Sequence, residues 1–184
     1  MRLEDIADIT QGITLSRIRV KENMETEERT VYSFETESKI QVPKDIEKTD
    51  QNIPIITDDI ILFNITSYNA KKATEKDIGK IVPSNYVIIR VKDKNVNTDY
   101  LAWHMDQSES FKRELNKLKQ GSTVLSVSIN EFRKMNIKLP KLSLQEKIGR
   151  INDLNRRREE LFLERQKLIE KLLMTINEEE MQNG

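Results

Sequence analysis

The order of apolar and polar residues divides the chain into a body of mixed strand and helix signals and one long final helix. The clearest strand signal lies at 80–92, where the β-branched run YVIIRV follows a Pro-Ser-Asn turn. The apolar run at 3–9 predicts a short helix or strand. The apolar run at 53–66 predicts two strands or one bent strand. The polar stretch 21–39 has little periodicity and predicts an irregular segment with one short strand around its two aromatic residues.

The period changes to that of a helix after Asn97. A break is expected near Ser108, and five apolar residues follow helical spacing: Leu101, Met105, Phe111, Leu115 and Leu118. A Ser-x-x-Glu box from Ser128 to Glu131 predicts the start of a short helix. The alternation in MNIKLP (135–140) predicts a strand that its proline ends.

The last element begins in the sequence LPKLSLQEKIGRI, at 139–151. Ser143 is the predicted N-cap: its hydroxyl would accept from the backbone N–H of Glu146, whose carboxylate would accept from the N–H of Ser143. The helix is expected to run to about residue 177. At 1.5 Å per residue this is roughly 50 Å, more than a small domain needs to cover its own core.

The apolar stripe of this helix has a heptad period, which predicts a coiled-coil seam that pairs with another helix. Arg158 and Arg165 occupy two of the a positions. A parallel pair would place these like charges together, whereas an antiparallel pair lets their side chains reach solvent or nearby glutamates. A helix folded back on its own domain is the alternative. The predicted seam consists of Ile148, Ile151, Leu154, Arg158, Leu161, Phe162, Arg165, Leu168, Ile169 and Leu172.

Strand and helix signals mix without regular alternation, so the sequence predicts an α+β fold rather than a parallel-sheet enzyme. We expect one mixed α/β globular domain over 1–142. A long coiled-coil-forming helix over 143–177 and a disordered tail over 178–184 would follow it.

Composition narrows the class of protein. Hydrophobic residues make up 36% and charged residues 34% of the 184 residues, which suits one domain with a core and an extension. Cysteine is absent, so disulfides and thiolate metal sites are excluded and a reducing, cytoplasmic compartment is expected. Neither a signal peptide nor a membrane span is expected. The 31 basic and 31 acidic residues cancel, but basic residues exceed acidic ones between 51 and 150.

A catalytic constellation is missing from the sequence. His104 is the single histidine, and without cysteine it cannot build a histidine-based metal site. The Asp58-Asp59 pair, with Glu75 and Lys76 downstream, is the nearest approach to a nuclease arrangement and is more typical of a charged turn. No nucleotide-binding or hydrolase motif occurs. We therefore expect no catalytic residue, metal or cofactor, and a metal-dependent nuclease is the weaker alternative.

Three polar loops carry side chains suited to DNA. Short amide and hydroxyl groups can hydrogen-bond base edges or phosphates, and lysine or arginine can neutralise phosphate charge. Each loop by itself is also compatible with an ordinary solvated turn. The candidate DNA-binding residues are Thr14, Ser16, Arg17 and Arg19 in the first loop, Ser67, Tyr68, Asn69, Lys71, Lys72 and Lys76 in the second, and Lys119, Gln120, Ser122 and Thr123 in the third.

The run GSTVLSVSINEFRKMNIKLPKLSLQEKIGRI (121–151) resembles the end of a target recognition domain in the specificity subunit of type I restriction–modification enzymes. The family places a glycine loop, a short helix, a strand ending in Leu-Pro and a Gln-x-x-Ile motif before a conserved spacer helix. The corresponding residues here are Gly121, Ile137, Leu139, Pro140, Gln145 and Ile148. The start RLEDIADITQGIT, the strand TDDIILFNIT and the helix NTDYLAWHMDQ are similar to the family in the same order, with Asp58 where a glycine is usual.

The resemblance implies a recognition subunit that holds double-stranded DNA sequence-specifically and docks methyltransferase and motor–nuclease (restriction) subunits. The usual subunit has two recognition domains and two antiparallel spacer helices, so this chain looks like half of one. A homodimer with antiparallel helices would read two inverted half-sites. A partner half-subunit, or a fragment of a longer chain, is the alternative. A protein–protein module without a DNA role is the competing function.

Overall fold

A computed structural model describes residues 1–21, 23–46, 51–120 and 128–183. The strands are β1 (Ala7–Gln11), β2 (Thr26–Val31), β3 (Ser38–Pro43), β4 (Ile61–Asn64), β5 (Ala70–Lys72) and β6 (Tyr86–Val91). The helices are α1 (Leu3–Ile6), α2 (Thr98–Gln107), α3 (Glu109–Gln120), α4 (Ile129–Arg133) and α5 (Leu142–Asn183). Strands and helices mix in one body, which confirms the α+β prediction.

Four strands form an antiparallel sheet in the order β1-β6-β4-β5, and β2 and β3 form a separate hairpin. One face of the sheet packs on α1 to α4 through a core that includes Phe63, Leu101, Phe111 and Phe132. The other face buries Leu62, Ile88 and further apolar residues against the segment that follows β2. The central strands of the sheet are buried on both faces, which is why β4 is apolar at all but its last position rather than alternating.

The stretch 21–39 was predicted to be irregular, with one short strand around Tyr32 and Phe34. Its described residues instead contribute β2 and the start of β3, and the two aromatic residues follow β2 outside any strand. Within β2 only Val31 is apolar, and the strand pairs with β3 partly through surface ion pairs, such as Lys39 with Glu28 at 2.7 Å. The predicted strand over 135–139 was also wrong. Only Asn136 bridges, to Arg2, while neighbouring apolar side chains pack into the helix-side core.

The helical segment after Asn97 breaks at Ser108, as predicted, because α2 ends at Gln107 and α3 begins at Glu109. The cap at Ser128 is also confirmed, since its hydroxyl accepts from the backbone N–H of Glu131 at 3.2 Å.

The prediction for the start of α5 was wrong. The helix begins at Leu142, so Ser143 lies inside its first turn, and the backbone carbonyl of Lys141 accepts from Leu144 and Gln145. The helix also continues past 177, where the sequence suggested a disordered tail, to Asn183.

The helix α5 contacts the domain only along its first four turns. Gln145 and Gly149 are buried, and Ile148, Asn152 and Arg156 are half-buried, a spacing of three or four residues that defines one helix face. From 157 to 178 every residue is exposed. The helix therefore projects from the domain, and the alternative in which it folds back on its own core is excluded over these residues.

Candidate nucleic-acid interface

One end of the four-stranded sheet gathers the turns that carry several candidate residues. At this end β1 finishes at Gln11, β4 finishes at Asn64 and β6 starts at Tyr86. The turn at 83–85 lies between the segment that follows β1 and the turn that follows β4. Gln11 Nε2 donates to the carbonyl oxygen of Ser84 at 2.8 Å, and Ile65 N donates to that of Asn85 at 2.9 Å. The segment after β1 and the turn after β4 are thus neighbours.

The turn at 65–69 is held by the buried side chain of Asn64. Its Oδ1 accepts from the backbone N–H groups of Thr66 at 2.8 Å and Ser67 at 3.1 Å. Tyr68 has a positive φ of 61°, uncommon for a residue with a side chain, and its half-buried ring packs against the core. Ser67 and Asn69 are exposed on this ordered turn, so two of the predicted polar side chains face solvent from a fixed backbone.

The first predicted loop also has a defined conformation. A short 3₁₀ turn spans Leu15–Arg17, and its apolar side chains pack on the sub-core under the hairpin, which leaves Thr14, Ser16, Arg17 and Arg19 exposed. Gln51 fixes the end of the segment, since its side chain exchanges two hydrogen bonds with the backbone of Arg19, at 2.7 and 2.8 Å.

A cleft of about 900 Å³ lies between this segment, the hairpin, residues 52–57 and the face of the sheet at β1 and β6. Four cationic side chains line it: Arg17, Arg29, Lys44 and Arg90. Three of them form ion pairs: Arg29 with Glu27, Lys44 with Glu25, and Arg90 with Asp58. Hydrogen bonds from Arg90 hold the pKa of Asp58 below its usual range. Among the described residues, Arg17 has no ion pair and is the unpaired cation of this cleft.

Sequence reasoning missed Arg29, Lys44 and Arg90 as lining residues. Arg29 lies in β2, where Val31 is the single apolar residue, and Lys44 follows β3, so no local pattern predicts which side of a cleft they face. For Arg90, the sequence predicted only that the residue lies in a strand.

The predicted lysines of the second loop lie elsewhere. Lys71 and Lys72 are on β5, not in a loop, and point to opposite faces of the sheet. The ammonium group of Lys71 sits 4.7 Å from the ring centroid of Phe34. Lys76 is exposed beside α5, in a groove that Arg156 and Arg157 also line.

Lys72 is held by two carboxylates. Its Nζ lies 2.9 Å from Asp99 and 3.1 Å from Asp59. Burial disfavours its charge, but the hydrogen bonds to Asp99 and Asp59 outweigh burial and raise its pKa. This charge is already balanced within the domain.

The third predicted loop is only partly described. Lys119 and Gln120 belong to the last turn of α3, and Ser122 and Thr123 lie outside the described residues.

Catalytic and metal sites are not predicted from the sequence. The described ranges hold no group of three histidine, aspartate or glutamate side chains suited to a metal ion. His104 is buried, and burial lowers its pKa. The acidic pair at 58 and 59 is occupied by Arg90 and Lys72. No helix in the described part of the chain is both long and apolar enough to cross a membrane.

The chain thus combines a small α+β domain, ordered polar turns at one sheet end and a long projecting helix. The chain belongs to the family described as the type I restriction modification DNA specificity domain, which matches residues 1–170. The match includes both the domain and most of α5. This family is the non-catalytic recognition component of restriction–modification complexes.

Solved structures share the fold. The S subunit of a type I restriction–modification system from M. genitalium matches with a TM-score of 0.55 and 13% identity, over 86% of this chain and 38% of that one. The HsdS subunit from Thermoanaerobacter tengcongensis matches with a TM-score of 0.53 and 13% identity, over 86% and 37%. A structure described for complex assembly and conformational transition of the type I R-M system matches at 0.58 and 15%, over 88% and 43%.

The chain thus spans well under half the length of these three structures, and the likeness concerns the fold. No curated protein matches the sequence.

Proposed function

We propose that this protein recognises double-stranded DNA sequence-specifically, as the non-catalytic specificity component of a type I restriction–modification system. The observation that carries the proposal is the family match over residues 1–170, which includes both the recognition-type domain and the projecting helix. The proposed partners are methyltransferase and restriction subunits, and the proposed compartment is the cytoplasm, where such a complex meets DNA.

The proposed DNA surface is the sheet end and the adjoining cleft. Ser67 and Asn69 on the ordered turn are suited to base edges, and Thr14 and Ser16 to either bases or phosphates. Arg17 and Arg19 would neutralise phosphates. We keep Lys71, Lys76 and the third loop (Lys119, Gln120, Ser122, Thr123) as outer contacts, and Tyr68 as a residue of the turn whose half-buried ring packs against the core. Lys72 is the weakest member, because its charge is balanced by two carboxylates.

The proposed role of α5 is to join this domain to a second recognition domain. Its exposed stripe supports this, since Leu161 and Phe162 are 57% and 55% exposed although they are large and apolar. Large exposed apolar surfaces on a protein mark interaction sites. Two copies paired antiparallel would place arginines opposite apolar seam residues rather than opposite each other, and would carry two domains to two inverted half-sites.

The same stripe favours the second candidate, a protein–protein module that binds another helix and has no DNA role. The two functions differ in what a charge change on the domain does. Loss of a phosphate contact weakens DNA binding and leaves helix pairing intact, whereas a pure protein-binding module has no DNA binding to lose.

The test combines the purified chain with type I methyltransferase subunits and a pool of randomised duplexes. We expect adenine methylation at an enriched sequence only when the chain is present. Arg17→Glu should weaken binding and reduce the slope of log K against log salt by about 1, with helix pairing unchanged. Lys94→Glu is the matched control, an exposed lysine near the opposite sheet end. Methylation without the chain, or no enriched sequence with it, rules out the DNA role.

A further inference from the structure

The helix α5 leaves the domain through a joint built on one buried amide. Gln145 is 2% exposed and binds three backbone groups of two different segments. Its Oε1 accepts from Asn97 N at 3.1 Å, and its Nε2 donates to the carbonyls of Asn95 at 3.1 Å and Pro140 at 2.8 Å. One side chain thus joins the loop before α2, the segment before α5 and α5 itself.

One turn further along, Gly149 lets the start of α2 touch α5 directly. A Cβ at this position would lie 2.6 Å from Asn97 Oδ1, 2.9 Å from Tyr100 N and 3.0 Å from the Cβ of Asp99. Two of these atoms already bond each other, because Asn97 Oδ1 accepts from Tyr100 N at 2.8 Å as the N-cap of α2. The contact is therefore against the capped first turn of another helix and not against a flexible side-chain end.

The joint is the last place where the domain holds the helix firmly. Beyond it the docked face is completed by half-buried Asn152 and Arg156, and Arg156 bonds Asp153 and Glu160 of its own helix. The next residues are exposed. The direction of the free part of α5 is set by how Gln145 and Gly149 seat the first turns.

A long lever makes that direction consequential. The part of α5 beyond Arg156 is about 40 Å long at 1.5 Å per residue. A rotation of about 10° at the joint moves its far end by about 7 Å, and one base pair occupies about 3.4 Å along DNA. A small change at the joint therefore equals about two base pairs of separation between two domains joined through their helices.

We infer that Gln145 and Gly149 are positioning residues that set the length of the spacer between the two half-sites, without touching DNA. The inference rests on the proposed function, because it presumes two recognition domains joined through α5. The turns of the domain would provide specificity for bases. The two residues at the start of α5 would add specificity for the distance between the half-sites.

The first arm of the test measures the joint without DNA. The chain has no cysteine, so spin labels can be placed uniquely at exposed Lys112 on the domain and exposed Gln166 on α5. Labelled chains are diluted with unlabelled ones so that distances within one chain are read. We expect Gly149→Ala to shift or broaden the distance distribution. Arg150→Ala, its exposed neighbour on the same helix, should leave the distribution unchanged.

A second variant protects the test against misfolding. Gln145→Glu keeps the acceptor for Asn97 N but replaces the two donated bonds with a carboxylate facing two carbonyls. It should shift the same distance distribution without enlarging any side chain. If both variants of the joint show the distribution of the unaltered chain, the inference is overturned.

The second arm measures spacer length. Duplexes that carry the selected half-sites with spacers changed by one or two base pairs are compared for methylation by the complete complex. We expect the joint variants to prefer a different spacer, or to accept several, while the selected half-sites stay the same. An unchanged spacer preference overturns the inference even if the distance shifts. If the unaltered chain selects no sequence at all, the proposed function fails, and the label distances still report whether the joint sets the helix direction.

Discussion

His104 is buried beside aromatic rings and has little access to water. Its ring centroid lies 5.6 Å from that of Tyr100 and 6.0 Å from that of Phe111, and its Nδ1 is 3.5 Å from the Tyr100 hydroxyl. Burial disfavours the imidazolium and lowers the pKa of His104 below its ordinary value of 6.5. His104 is therefore a residue of the core, and its protonation affects the stability of the fold.

The free energy of unfolding should fall as the pH drops below about 6.5. The unfolded chain binds a proton at its ordinary histidine pKa, while the folded chain resists protonation until the pH reaches its lower pKa. The stability present above 6.5 is therefore lost as the pH falls through this interval. Urea unfolding between pH 7 and 5 measures the loss.

His104→Gln is the control for this prediction. His104 is the single histidine, and carboxylates such as Asp58 and Asp77 have lowered pKa values and so titrate below this interval. The substituted chain should show a flat stability over the same pH range. An equally steep loss in that chain would assign the effect to another group.

At the scale of the element, the two helix starts that carry Ser-x-x-Glu show what a local pattern determines. Ser128 is the N-cap of α4 and accepts from Glu131 N. Ser143 has the same pattern but lies inside α5, which begins one residue before it. At α5 the buried amide of Gln145 binds Pro140 O and the loop before α2, so contacts distant in sequence, rather than the local box, fix where the helix begins.

Alanine at these two serines should separate the two situations. Ser128→Ala removes the acceptor for a helix N-terminal N–H and should lower the free energy of unfolding by about 1 kcal/mol. Ser143→Ala is the matched control and should change it by less than about 0.5 kcal/mol, as for a surface helix position. Equal losses at both positions would show that Ser143 caps α5 in solution.

The difference between local patterns and contacts distant in sequence also explains how much of the fold the sequence predicts. Elements with a continuous apolar run, such as β6, or a helical apolar period, such as α2 and α3, follow from local sequence patterns. The β2–β3 hairpin does not, because Val31 is the single apolar residue of β2, and its pairing with β3 depends on cross-strand partners such as Lys39 and Glu28. The candidate site is predicted only as residue types. Which loops meet depends on strand order, and the ion pairs of Lys72 join residues that are 13 and 27 positions apart.

At the scale of the whole molecule, the domain and α5 present two different surfaces. The domain is closed around its cores, while α5 carries exposed apolar residues over most of its free length. The docked face of α5 and the predicted seam share Ile148 and otherwise lie on different sides of the helix, so the domain leaves the seam open from Ile151 onward. Assembly through α5 therefore does not require the domain to change shape.

Substitution on the helix should distinguish the seam from general surface hydrophobicity. Leu161→Lys places a charge in the predicted seam and should raise the dimer dissociation constant by at least about tenfold, the equivalent of about 1.4 kcal/mol. Analytical ultracentrifugation measures the change.

Leu163→Lys is the matched control for the seam. Leu163 is 59% exposed, close to the 57% of Leu161, but lies off the predicted stripe. It should leave the dissociation constant nearly unchanged. A monomeric unaltered chain, or equal effects at both leucines, would contradict pairing through this seam.

If α5 pairs two copies of this chain, as proposed, its exposed stripe also links the amount of paired protein to gene dosage. If two chains must meet to cover it, the amount of paired reader is governed by mass action. Well below the dissociation constant, the paired form rises with the square of the chain concentration, so halving expression leaves about a quarter of it. A cell that gains or loses a copy of the gene would change its recognition capacity more steeply than its protein level.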